Sequence, residues 1–131
     1  MRTVMIRILA SDPSTREGAI ALLSAHPNIL VLTPRSEAAP DVLFVNTTLV
    51  SESVVRTLEL VPSAAVKCPP RIVVVTEHIG ARQLSRALDA GVVCLLDRRR
   101  SGYDRIARAI MAAAMIPAPR AGQAAASEAG R

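Results

Sequence analysis

Residues 41–48 read DVLFVNTT: four apolar residues, Val42 to Val45, run without polar alternation and stop on an uncharged amide, Asn46. A strand with that pattern is buried on both faces, the situation of a parallel strand in a sheet covered by helices on both sides. Working outward, residues 3–9 (TVMIRIL), 29–32, 72–75 (IVVV) and 92–96 (VVCLL) are similar short runs rich in β-branched residues. Helical patterns separate most of them. Ser14 and Glu17 form an S-x-x-E capping box that opens a helix reaching about Ala25. Val54, Val55, Leu58 and Val61 recur at helical spacing over residues 51–61, and the chain then passes through prolines to Pro69 and Pro70. Residues 81–90 make a third helix closed by Gly91, and residues 103–115 a fourth.

The stretch between the second and third strands, TPRSEAAP over residues 33–40, has turn chemistry and too few residues for more than a turn of helix. Strand and helix in alternation predict an α/β sandwich, doubly wound and flavodoxin-like, with five parallel strands in the order 2-1-3-4-5 and a second helix shortened or missing. In that architecture function gathers where the strands end. The residues placed there are Ser11 and Asp12, Asn46, Thr76, and Arg98. No glycine-rich phosphate loop follows the first strand, which argues against a nucleotide site.

At 131 residues and half apolar, the chain is one domain's worth. Its net charge of +5 owes much to Arg98, Arg99, Arg100, Arg120 and Arg131. Phe44 and Tyr103 are the only aromatics, so bases have no stacking platform. Cys68 and Cys94 lack metal-ligand or redox spacing, and no apolar run is long enough to span a membrane. A reduced cytoplasmic domain over residues 1–116 is expected, with residues 117–131 a disordered linker. No metal, cofactor or catalytic residue is expected.

The segments ILASDPSTREGAIALL, PDVLFVN, RIVVVTEH and SRALDAGVVCLLDRR resemble a response-regulator receiver domain of the CheY-like fold. The likeness is greatest to receivers that precede LuxR/NarL-type helix-turn-helix domains in actinobacterial regulators. Such receivers hold magnesium with an acidic pair after the first strand, and accept phosphate on an aspartate at the end of the third. The resemblance puts Ser11 and Asp12 at the first of these positions and Asn46 at the second. Thr76 keeps the hydroxyl expected after the fourth strand. Arg98 stands for the usual lysine, and Leu95 for the aromatic switch residue. An amide oxygen is no nucleophile for phosphoryl transfer, and one carboxylate is a poor start for a magnesium site. The resemblance therefore implies a phosphorylation-deficient receiver of a transcriptional regulator. Its DNA-binding domain would lie beyond Arg131, outside this chain, and a small-molecule effector or a partner protein would replace phosphate.

Other readings stay open on sequence alone. Asn46 suits an ordinary turn at a strand end, Asp12 a helix cap, and Thr76 a structural hydroxyl. A freestanding or phosphorelay-linked adaptor that docks a kinase or partner is the alternative to a regulator. A small enzyme of this fold would need a nucleophile and a base converging at the strand ends, and the histidines lie elsewhere. The last helix has apolar width to spare, and Ala19, Leu22 and Leu23 of the first helix with Ala107, Met111, Ala114 and Met115 of the last predict a homodimer face.

Overall fold

The computed structural model describes residues 3–64 and 69–117. The chain runs β1 (Val4–Ala10), α1 (Pro13–Ser24), β2 (Ile29–Val31), β3 (Val42–Leu49), α2 (Glu52–Ala64), β4 (Arg71–His78), α3 (Ala81–Ala90), β5 (Val92–Asp97) and α4 (Tyr103–Ala114). The strands form one parallel sheet in the order β2-β1-β3-β4-β5. The apolar run at residues 42–45 is the middle of that sheet, which is why it needs no polar face: Val42, Leu43, Phe44 and Val45 are all buried. Alternate residues of the sheet serve two core layers. Val42, Phe44, Val73 and Val75 pack under α1 and α4, while Leu43, Val45, Ile72 and Val74 pack under α2 and α3.

Two boundaries differ from expectation in a way that matters for function. The third and fourth strands continue to Leu49 and His78, beyond the ends the apolar pattern gives them. Thr47 pairs with Thr76 and Leu49 with His78, so β-branched polar residues carry the ladder after the hydrophobic run has ended. The start of α1 is also capped differently. Asp12, not Ser14, is the cap, its Oδ1 accepting from the Thr15 backbone N–H at 2.8 Å with Pro13 at the first helical position. Gly91 closes α3 as expected, at φ 111°, a left-handed conformation that residues with a Cβ resist.

No helix forms between β2 and β3. Arg7, which points from β1 toward that segment, donates to the carbonyl oxygens of Thr33, Ser36 and Ala38 at 3.2, 2.9 and 3.2 Å. One guanidinium thus holds the irregular segment in the space a helix would occupy. No helix among the described residues is long and apolar enough to cross a membrane. Lys67 and Cys68 lie outside the described residues, as does the expected linker beyond Pro117.

The dimer face read from the sequence needs correction. Ala19, Leu23, Ala107 and Ala114 are buried within this chain, in the layer that α1 and α4 build against the sheet. The inward face of α4 is wide: Ile106, Ala107, Ile110, Ala113 and Ala114 are all buried in that layer. Of the seven residues, Leu22 and Met115 are exposed, and Met111 is half-buried against the core.

Candidate functional site

The parallel sheet brings the carboxyl ends of its strands to one edge, and hydrogen bonds join the residues found there. The Ser11 backbone N–H donates to Asn46 O at 3.1 Å, and the Arg98 N–H to Thr76 O at 3.0 Å. Arg98 reaches across this edge with its side chain as well. Its Nη1 donates to Thr48 Oγ1 at 2.8 Å and its Nη2 to Thr15 Oγ1 at 3.3 Å, with Glu77 at 3.6 Å. The five residues singled out by the sequence are therefore neighbours.

Their states are less open than their positions suggest. Asn46 sits inside β3, paired to Ala10 on one side and Val75 on the other, and is 3 % exposed. It is a strand residue, not a turn at a strand's mouth. Its Oδ1 is buried without a hydrogen-bond partner, a condition that costs about 1–3 kcal/mol. A charged carboxylate in the same place would cost more. Thr76 is also buried, and its hydroxyl lies 3.1 Å from the carbonyl oxygens of both Thr48 and His78. The added length of β3 and β4 supplies those acceptors.

Asp12 offers little to a metal. One oxygen accepts from the Thr15 N–H, and the other from the Thr15 hydroxyl at 2.9 Å and the Ser11 hydroxyl at 3.4 Å. The Thr15 backbone N–H, then the Thr15 hydroxyl, with smaller help from Ser11 and the Arg98 charge, hold its carboxyl below the usual carboxylate range. Among the described residues no three His, Cys, Asp or Glu side chains gather where they could hold a metal ion. The magnesium that the receiver likeness implies therefore does not fit this edge: the carboxylate is engaged, its acidic neighbour is a serine, and a guanidinium stands beside it.

Leu95 pairs with Val74 and is a half-buried aliphatic packed against the layer under α2 and α3. Burial pushes the Cys94 thiol above its ordinary value, so thiolate is scarce there. A cleft of about 390 Å³ opens beside the edge, walled by Leu9, Ser11, Asn46, Thr47, Val54 and Thr57 among others. Sequence reasoning missed Arg7 and Arg16. The lone arginine within an otherwise apolar TVMIRIL was the signal for the first, and the position of Arg16 one turn before Ala19 and Ile20 was the signal for the second.

Solved structures match this fold. The signal receiver domain of the response regulator NarL from Mycobacterium tuberculosis superposes with a TM-score of 0.66 at 20% identity, over 87% of this chain and 98% of that one. The response regulator domain of Thermotoga maritima CheB gives 0.68 at 17%, over 88% and 98%. The fold is that of a receiver domain. A LuxR-family two-component response regulator from Aurantimonas sp. SI85-9A1 shares the receiver fold with a TM-score of 0.60 at 21% identity, over 98% of this chain and 99% of that one. No protein-family model and no curated protein matches the chain.

Proposed function

We propose that this chain is a receiver module that works without aspartyl phosphorylation, as the regulatory part of a DNA-binding transcriptional regulator whose DNA-binding domain lies outside it. The observation that carries the reading is Asn46. It occupies the centre of the strand-end site, buried, uncharged, and flanked by a threonine whose hydroxyl is engaged by backbone carbonyls. Without a carboxylate nucleophile no acyl phosphate forms there. Regulation then passes to a small-molecule effector or a partner protein. Self-association is the second element of the proposal, through Leu22, Met111 and Met115 with Ile116, the apolar residues that α1 and the end of α4 leave at least partly uncovered.

The test is the intact mass of the chain after incubation with magnesium and acetyl phosphate, beside an Asn46→Asp variant. The natural chain should gain no phosphoryl adduct. A stoichiometric adduct on it would overturn the reading, and peptide mapping would then identify the acceptor.

A further inference from the structure

Arg16 presents an electrostatic anomaly. It lies on α1 in the stripe that continues through Ala19, Ile20 and Leu23, the face the helix turns toward the core. Its guanidinium makes no hydrogen bond or ion pair with any described residue, and its Nε is buried with nothing to donate to. Arg16 as a whole is half-buried, and it is the Nε that is cut off from water. A buried donor without an acceptor is unfavourable, and proteins ordinarily pair it; no described residue does so here.

Arg16 lines a cleft of about 320 Å³ whose other walls are Arg7, Ile8, Leu9, Ala10, Leu32 and Pro34. No carboxylate of a described residue lines it. Arg7 spends its hydrogen bonds on neutral carbonyls and so leaves its own charge unbalanced. The cleft exists because β2 is short: its pairing with β1 ends at Ile6 and Val31, and no helix follows to cover the gap. The exposed edge of β1 adds donors. The Val4 N–H meets Asn28 O, and Ile6 O accepts from the Leu32 N–H, so the alternation of a strand turns the N–H groups of Ile8 and Ala10 to the same side, past the end of β2. Two cations, backbone donors and apolar walls thus face one space.

We propose that this cleft binds a small organic acid, with the carboxylate against Arg16 and the apolar body against Leu32 and Pro34. A planar guanidinium suits a carboxylate, which accepts two parallel hydrogen bonds from it. The volume matches a small ligand and not a protein segment. The inference goes beyond the reading above, because Arg7, Arg16, Leu32 and Pro34 take no part in the altered phosphate site, although Leu9 and Ala10 also line the cleft beside it, and it stands whether or not an adduct forms there.

The experiment is an amide-resolved NMR titration of the full chain with hexanoate, hexanamide and inorganic phosphate, repeated on Arg16→Met. Hexanoate should shift the amide signals of Ile8, Ala10, Arg16 and Leu32 saturably, with hexanamide and phosphate each binding at least about tenfold more weakly. Arg16→Met should remain folded, with its thermal midpoint equal to or above that of the natural chain, and should lose hexanoate binding by at least about tenfold. Arg16→Lys, which keeps the charge, separates loss of the fork from loss of folding by retaining part of the affinity. Absence of saturable shifts with hexanoate, equal binding of hexanamide, tighter binding of phosphate alone, or undiminished binding by folded Arg16→Met would each overturn the proposal.

Discussion

Arg98 Nη1 donates to Thr48 Oγ1 while the hydroxyl of Thr76 lies in hydrogen-bond reach of the Thr48 carbonyl oxygen, so Thr48 joins the residue after β5 to the buried threonine of β4. This link exists because β3 continues past Asn46. The same guanidinium reaches Thr15 in the first turn of α1. A planar fork spans both partners, whereas an ammonium is a single point of contact.

Arg98→Ala should therefore lower stability by about 1 kcal/mol, a modest figure because the group is partly solvated. Arg98→Lys should recover only part of it. Urea unfolding measures the loss, and faster amide exchange at Thr15 and Thr48 in the alanine variant locates it.

Asp12 makes α1 sensitive to acid. Its folded carboxyl lies below the ordinary value, chiefly through the Thr15 backbone N–H, so its contribution is complete above the unfolded pKa and is lost as pH falls through the lower folded one. Asp12→Asn keeps a capping oxygen without a titrating charge. The difference in thermal midpoint between the two proteins should change across the acid range and be constant above neutrality.

Asn46→Asp should behave in the opposite sense. A carboxyl buried at that position has its pKa raised, so the variant loses stability as pH rises through and above the unfolded value of about 3.9. At pH 8 the deficit should be about 2–4 kcal/mol, shrinking toward pH 4. Unfolding in urea at the two pH values measures it; a variant as stable as the natural chain at pH 8 would show that the site tolerates charge.

Arg7 holds the segment that replaces a helix. Arg7→Met keeps the aliphatic stem and removes all three carbonyl contacts, for an expected cost of about 2 kcal/mol. Hydrogen exchange should rise at residues 33–40 and leave β3 and β4 unchanged.

Self-association makes a further prediction. Leu22 and Met115 are 54 % and 75 % exposed. If they form a dimer face, light scattering gives a dimer for the natural chain and a monomer for Leu22→Asp combined with Met115→Asp. A natural chain that stays monomeric at high micromolar concentration would remove the dimer from the proposed function. Unlike the buried Ala19, Ala107 and Ala114, both positions accept a charge without disturbing the core.

The strands and the four helices are legible in the sequence to within a few residues, as is a segment between β2 and β3 too short for more than a turn of helix, because apolar periodicity and turn residues act over a few neighbours along one chain. The strand order follows from the doubly wound fold to which alternating strands and helices point. The strand-end positions of Ser11, Asp12, Asn46, Thr76 and Arg98 were legible for the same reason, since topology alone brings them to one edge. How those residues are buried and bonded is set by contacts between segments distant along the chain. Whether Asn46 ends a strand or lies within one depends on the pairing partners Ala10 and Val75, far away in sequence. Whether Ala107 and Ala114 face a partner or the core depends on how closely α4 approaches the sheet. The buried, unpartnered Nε of Arg16 is likewise invisible in sequence, because burial and pairing are set by the segments that fold around a side chain and not by its neighbours along the chain.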